Sequence, residues 1–174
     1  MSEYLLSIDP SLRATGCALF LDGELVAVHL IRWQSKQRGQ ILWRGISLSL
    51  NAWLQLAASK HLRLSGLSID AHMERPVHHR GGGRRADPET LLEMAMLVGY
   101  LCATLCTGDQ YTLWTKAQWA GTAKKNIITA RVEARLSPAE ELVLADTYKG
   151  PPSLRHNVLD AVGVGLHALG RMKQ

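Results

Sequence analysis

Three short apolar runs open the chain, and the polar positions between them are typical of turns. The runs cover residues 4–9, 15–21 and 24–32, and each has the length of a buried strand. Asp22 and Gly23 join the second run to the third, and an Asp-Gly pair between two such runs favours a two-residue hairpin turn. The pattern predicts three strands arranged as a meander.

Helical periodicity begins after the meander. Apolar residues recur at three- and four-residue spacing over 41–58, which predicts an amphipathic helix. Asp87 as a cap and Pro88 at the first helical position predict the start of a second, nearly all-apolar helix over 88–106. The other expected elements are strands near 66–74 and 110–114 and helices near 115–120, 126–136, 138–147 and 155–171.

This order of elements predicts an α/β fold in which a five-stranded mixed sheet, its first three strands antiparallel, carries helices on both faces. The length of 174 residues fits one domain over 1–174. No apolar run is long enough to span a membrane and no signal peptide is recognisable. Three cysteines, an odd number, argue against a disulfide framework, so we expect a cytoplasmic protein.

Charge favours one class of partner. The formal net charge is +5 and the isoelectric point is near 9.3, which fits a protein that binds nucleic acid, although many basic proteins bind none.

Three acidic residues stand at positions that favour metal chemistry. Asp9 ends the first apolar run, Glu74 ends the fourth predicted strand, and Asp160 borders an apolar, glycine-rich stretch of the last helix. A carboxylate at the end of a buried strand is costly unless it meets a cation or a hydrogen-bond donor. Three carboxylates from distant segments fit a two-metal site for phosphodiester cleavage, and Mg²⁺ prefers such oxygen ligands.

Structural explanations stay open for each acid. Asp9 can cap the turn that follows it. Glu74 can pair with Arg75 or another arginine of the following loop, and Asp160 with Arg155 or Lys173.

The segment Ser7–Ala18, with Asp-Pro after the first strand and Thr-Gly before the second, resembles the opening motif of the RuvC family of Holliday-junction resolvases. Met73-Glu74 resembles the second acidic strand end of that family, and residues 160–163 resemble its terminal acidic helix. The length and the order of elements match as well, so the likeness covers nearly the whole chain.

The resemblance implies an RNase H-like fold and a structure-selective endonuclease that resolves four-way DNA junctions by paired symmetric nicks, in DNA recombination and repair. It also implies a homodimer and two Mg²⁺ ions per active site, for which Mn²⁺ substitutes. The implied metal ligands are Asp9, Glu74 and Asp160.

Two positions depart from the family pattern. The family places an acid or a histidine one helical turn before the last aspartate. Here Asn157 lies three residues before Asp160 and His156 four, on roughly the same helix face. His156 is our candidate for the fourth metal ligand or the general acid or base, with a histidine at a helix start as the alternative. The aromatic wedge of the family is also missing, since Val77 and two histidines occupy that stretch.

Basic residues follow the second and the fifth strand. The loop after Glu74 carries arginines, histidines and a triple glycine, which suit phosphate binding, although a solvated loop without a task is the alternative. Lys124 and Lys125 after the fifth strand resemble family residues that approach the scissile phosphate, although a loop that is merely soluble is the alternative. The expected DNA-binding residues are Arg75, His78, His79, Arg80, Arg84, Arg85, Lys116, Lys124 and Lys125, and the last two are also catalytic candidates.

Two apolar features complete the prediction. Trp119 lies near the lysine cluster and is a candidate for base stacking, whereas the other four tryptophans suit the core. The helix over 88–106 has apolar residues nearly all round it, which suits either a dimer interface or a buried central helix. They are Met94, Met96, Leu97, Tyr100 and Leu101.

Other functions remain open. An RNase H-like nuclease can act on other branched DNA or on structured RNA, and a junction-binding protein can lack catalysis. The Asp-Pro-Ser and Thr-Gly pattern also resembles the phosphate loop of actin-like kinases, but those need two lobes and more residues than this chain has.

Overall fold

The computed structural model describes residues 4–33, 38–61, 69–76, 87–105 and 111–172. Five strands form one sheet in the order β3-β2-β1-β4-β5. The first three pair antiparallel, whereas β4 runs parallel to β1 and β5 runs parallel to β4. The predicted mixed sheet with an opening meander is confirmed. The strands are β1 (Tyr4–Asp9), β2 (Ala14–Leu21), β3 (Glu24–Arg32), β4 (Ile69–Glu74) and β5 (Tyr111–Trp114).

The turn between β2 and β3 has the conformation that its sequence predicts. Asp22 and Gly23 both have positive φ, of 51° and 86°. Two residues with positive φ match the right-handed twist of the flanking strands, which is why Asp-Gly is favoured there.

Six α-helices occur in the described parts of the chain, and they pack on the faces and the β3 edge of the sheet. They are α1 (Gln40–His61), α2 (Pro88–Leu105), α3 (Lys116–Trp119), α4 (Lys125–Glu133), α5 (Pro138–Thr147) and α6 (Arg155–Ala168). The last helix ends three residues before the predicted end, because Gly170 adopts a φ of +70° that closes the helix. Within the described residues no helix is long and apolar enough to cross a membrane.

Alternating residues of the strands supply two separate cores. On one face Ile8 and Met73 pack with residues of α1 and α2. On the other face Leu5 and Phe20 pack with α6 and with Trp119 of α3. The period of two along each strand therefore decides which helices a side chain meets.

Helix α5 covers the outer edge of β3 with two side-chain hydrogen bonds. The backbone N–H of Leu25 donates to Glu140 Oε1 at 2.9 Å, and that of Val28 donates to Thr147 Oγ1 at 3.1 Å. These bonds satisfy edge groups that would otherwise be available to pair with another strand.

Candidate active site

Two acids lie side by side where β1 and β4 end. The parallel register pairs Ile8 with Met73, so Asp9 and Glu74 follow at neighbouring positions. Ile8 and Met73 point into the core beneath α1 and α2, and the alternation along a strand turns the next side chain to the opposite face. Asp9 and Glu74 therefore both face α6.

Helix α6 delivers the third acid because it lies almost on the backbone of β2. Gly16 pairs with Asp9 across β1 and β2. A Cβ atom at Gly16 would lie 2.0 Å from the main-chain oxygen of Asn157, so only glycine permits this approach. Asp160 follows one turn later and is 5% exposed. The close helix–strand contact thus places Asp160 near Asp9.

The charges of the three carboxylates influence one another. The pKa of Asp9 is raised well above its usual value, first by burial and then by the negative charges of Glu74 and Asp160. Lys116 and Lys125 oppose the rise. An ionised carboxylate in this position is therefore unfavourable by itself, and the cluster attracts cations.

Helix α3 gives each of the other two acids a partner. Lys116 Nζ lies 3.7 Å from Asp160 Oδ2. Trp119 Nε1 donates a hydrogen bond to Glu74 Oε2 at 2.8 Å. The ammonium of Lys116 lies 5.6 Å from the centroid of the Trp119 ring, within the range of a cation–π contact. Residues three apart on this one-turn helix therefore hold both acids.

The prediction that Trp119 stacks on bases is wrong. The residue is 1% exposed, and its ring lies so close to Gly163 of α6 that a Cβ there would come within 2.5 Å of it. The energy of burying a large ring, together with a carboxylate acceptor for its N–H, keeps Trp119 inside the protein.

A second indole fixes the neighbouring part of β4. Trp114 Nε1 donates to His72 Nδ1 at 2.9 Å, and His72 Nε2 lies 2.9 Å from Asp70 Oδ2. Because Nδ1 accepts, the proton of a neutral His72 is on Nε2, which donates to Asp70. The rings of Trp114 and His167 are perpendicular to each other, with their centroids 4.6 Å apart. Sequence reasoning missed this polar line along β4.

The carboxylates do not form a closed set of metal ligands. In the part of the chain that the structure describes, no three His, Cys, Asp or Glu side chains converge closely enough to hold a metal ion. Glu74 and Asp160 instead turn toward the indole and the ammonium of α3. The donor set has the right chemistry for a hard divalent cation, since all three candidates offer carboxylate oxygens.

Comparisons with known proteins identify the fold. No protein-family model and no curated protein sequence matches the chain. Among solved structures, RuvC of Thermus thermophilus in complex with a Holliday junction superposes with a TM-score of 0.61 at 15% identity, covering 98% of this chain and 96% of that one. The chain has an RNase H-like fold. The predicted fold class is confirmed.

Two further structures share this RNase H-like fold over nearly their whole length. Another Thermus thermophilus RuvC structure gives a TM-score of 0.56 at 13% identity and covers 98% of both chains. A Fowlpox virus resolvase in complex with Holliday junction DNA gives 0.52 at 8% identity, covering 98% of this chain and 99% of that one. At these identities the likeness concerns the fold.

The sequence left open whether His156 or Asn157 of α6 is the fourth residue of the site. Both His156 and Asn157 are partly exposed, and the main chain of Asn157 packs on Gly16. Within the described residues, the side chain of His156 makes no hydrogen bond or ion pair. The alternative that Asp160 pairs with Arg155 is wrong, because Arg155 bonds to Glu133 Oε1 at 2.6 Å. The other alternative, Lys173, lies outside the described residues.

The predicted basic residues fall into two groups. Lys124 and Lys125 begin α4 and are exposed, and Lys125 is close enough to influence the pKa of Asp9. Arg75 is exposed, and its backbone N–H donates to the carbonyl of Trp114 at 2.8 Å. The remaining loop candidates lie outside the described residues, as does the wedge position. These are His78, His79, Arg80, Arg84, Arg85 and Val77.

Proposed function

We propose that this protein is a divalent-metal-dependent endonuclease that cleaves four-way DNA junctions by paired symmetric nicks. The observation that carries the proposal is the carboxylate cluster on the α6 face, in which burial and two neighbouring acids raise the pKa of Asp9. The fold shared with two junction-bound resolvase structures supports the choice of substrate.

Asp9, Glu74 and Asp160 would hold two Mg²⁺ ions, and Mn²⁺ would substitute for them. To do so, Asp160 turns from Lys116, while Glu74 keeps one oxygen on Trp119 and offers the other. Bound there, the ions would supply water activation and stabilisation of the leaving oxygen.

The lysines around the carboxylate cluster would bind the scissile phosphate and a flanking one. Lys116 and Lys125 are close enough to lower the pKa of Asp9, so their ammonium groups reach the space where a scissile phosphate would lie. There they offset the negative charge that builds up on the phosphoryl oxygens. Lys124 holds a flanking phosphate, and His156, one turn before Asp160, exchanges a proton with water or with the leaving oxygen.

A second copy of the chain would present a second active site to a junction with two-fold symmetry. Of the residues predicted for this interface, Leu97 and Leu101 are buried in the core and are excluded. The outer side of α2 instead presents Leu92, 61% exposed, and Met96, 47% exposed. Replacing both with glutamate should convert a dimer to a monomer in light scattering, whereas Leu48→Glu on α1 should not.

The experiment that tests the proposal is a digest of synthetic four-way junctions with and without Mg²⁺. The wild type should make symmetric paired nicks only with the metal. Asp9→Asn should bind the junction without cutting it, and Asp146→Asn, an exposed residue of α5, should cut normally. Flap DNA and structured RNA belong in the same digest, because preferential cutting of either would replace the junction as substrate. Full cleavage by Asp9→Asn would exclude the proposed site.

A further inference from the structure

A second group of basic residues lies on the β3 side of the carboxylate cluster. Arg32 ends β3 and pairs with Ala14, the first residue of β2. The carbonyl of Arg13 accepts a hydrogen bond from the N–H of Trp33 at 2.9 Å. The turn that follows Asp9 and the end of β3 are thereby joined, and the side chains of Arg13 and Arg32 are both exposed.

Lys149 and Arg155 belong to the same corner. The segment after α5 packs on β3, since a Cβ at Gly150 would come within 2.7 Å of the Leu30 side chain. Within this segment Tyr148 donates a hydrogen bond to the carbonyl of Pro151 at 2.6 Å. The positive charges of Arg155 and Arg32 both act to lower the pKa of the Tyr148 phenol, which burial raises, so both side chains lie near Tyr148. We call Arg13, Arg32, Lys149 and Arg155 the β3-side basic surface.

Little negative charge compensates this surface. Arg155 pairs with Glu133. In the described parts of the chain, the side chains of Arg13, Arg32 and Lys149 take part in no ion pair. Exposed cations without acidic partners are suited to an anionic partner, and Arg13, Arg32 and Lys149 are of this kind.

The position of the surface suggests which anion it meets. Asp9 is level with Leu30 of β3 through Gly16, and strands lie about 4.8 Å apart, so Leu30 is about 10 Å away across the sheet. Arg32 lies two residues further along β3. A scissile phosphate at Asp9 would therefore place a phosphate of the next few nucleotides over Arg32.

We propose that the β3-side basic surface binds the phosphate backbone of the duplex arm that leaves the active site on the β3 side. This inference rests on the proposed function. The lysines of α3 and α4 contact the scissile region from the β5 side, so the carboxylates lie between two basic surfaces. The surface binds the arm through the charge of the phosphates and does not recognise the base sequence.

The first test measures junction binding by fluorescence anisotropy without a divalent metal, over a range of salt concentrations. Arg13→Gln/Arg32→Gln should weaken binding about tenfold and reduce the slope of log affinity against log salt by about two, since each lost phosphate contact removes about 0.9. The control is Arg135→Gln, which removes one exposed arginine at the other end of the sheet. There the carbonyl of Arg135 accepts from Arg171, which also bonds to the β2–β3 turn at Gly23.

The second test leaves the protein unchanged. Junctions carry one neutral methylphosphonate at the second, third or fourth phosphate on either side of the cleaved bond. Wild type should lose affinity at one of these positions, and the double variant should lose none there.

The two proposals fail differently. Suppose that wild type binds and cuts junctions, that the double variant binds as well as Arg135→Gln, and that no methylphosphonate weakens binding. The proposed role of the β3-side basic surface would then be wrong, and the proposed nuclease function would stand. Wild type that binds no branched DNA would overturn both.

Discussion

Trp119 Nε1 donates a 2.8 Å hydrogen bond to Glu74 Oε2, and this bond joins α3 to the carboxylate cluster. The indole is buried between β4 and α6, so the bond forms in a medium where electrostatic interactions are strong. It fixes one oxygen of Glu74 and so sets the direction of the other. The start of α3 is stabilised by a capping box between Thr115 and Gln118.

Trp119→Phe should keep most of the packing and lose the donor. A hydrogen bond to a charged group contributes about 1.5–3 kcal/mol, so we expect cleavage of a four-way junction to slow about tenfold or more. The Mg²⁺ concentration for half-maximal rate should rise, because Glu74 is no longer oriented. Single-turnover cleavage across a Mg²⁺ titration measures both.

Trp114→Phe is the matched control for that variant. Its indole donates to His72, which does not belong to the carboxylate cluster. The control should melt at a lower temperature than wild type and keep the wild-type Mg²⁺ dependence. If both variants show the same shift in Mg²⁺ dependence, orientation of Glu74 is not the cause.

Asp9→Asn should stabilise the fold while it removes cleavage. The folded protein raises the pKa of Asp9, mainly through burial and then through Glu74 and Asp160, so the ionised form is disfavoured in the folded state. Below the usual pKa of about 3.9 the carboxyl is protonated in both states, and the variant should equal wild type. As the pH rises above that value, wild type loses stability relative to the variant until the pH passes the raised pKa.

Melting curves from pH 4 to pH 8 measure this difference. The melting temperature of Asp9→Asn should exceed that of wild type by a growing margin, where each 1 kcal/mol corresponds to about 2–4 °C in a chain of this size. Mg²⁺ should raise the melting temperature of wild type and have little effect on the variant. If Asp9→Asn is less stable than wild type at pH 8, favourable contacts of the ionised Asp9 outweigh its burial and its repulsion by Glu74 and Asp160.

Much of the candidate site was predictable, because strand ends are visible in the sequence. Asp9 and Glu74 each stop an apolar run, and the parallel pairing of β1 and β4 follows from the helix between them. The placement of Asp160 was predictable only together with Asp9 and Glu74, since one acid in an apolar helix has several possible partners. Asp160 comes close to Asp9 through the contact of Gly16 with Asn157, and this contact depends on the packing of two distant segments.

The role of Trp119 could not be predicted from its position. A tryptophan beside lysines is compatible with base stacking and with core packing, and the choice depends on the path of α6 across the sheet. The spacing of Lys116 and Trp119 was the available signal, since residues three apart share a helix face. Arg13 and Arg32 carry no local signal either, because only the strand pairing joins them to the same corner.

Gly16→Ala should displace α6. The added methyl group would lie 2.0 Å from the oxygen and 2.4 Å from the carbon of the Asn157 carbonyl, and neither atom belongs to a flexible side chain. We expect a loss of about 3 kcal/mol or more in unfolding free energy and a loss of cleavage, because Asp160 moves with the helix. Gly99→Ala, whose methyl group meets no atom within 4 Å, should be neutral or slightly stabilising in chemical denaturation. Wild-type stability and activity in Gly16→Ala would contradict the observed contact.

The ion pair between Glu140 and Arg171 should make the fold sensitive to acid. Burial works to raise the pKa of Glu140, but hydrogen bonds from Arg171 and from two backbone N–H groups outweigh it and hold the pKa at about 2, against a usual 4.5. Because the folded pKa is lowered, the stabilisation is complete above the usual pKa and is lost as the pH falls toward 2. At about 1.4 kcal/mol per unit, the contribution is about 3 kcal/mol.

Urea unfolding at pH 7, 5, 4 and 3 tests this contribution. Wild type should lose more stability over this range than Glu140→Gln, which has no charge to titrate, whereas Glu141→Gln on the exposed side of α5 should follow wild type. Arg171→Met should cost about 3–5 kcal/mol at pH 7, since it leaves the buried carboxylate without its cation. That cost should shrink in acid, because protonation of Glu140 removes the unpaired charge. An Arg171→Met cost that stays constant from pH 7 to pH 3 would mean that Arg171 stabilises the fold through its bonds to the carbonyls of Gly23 and Arg135 instead.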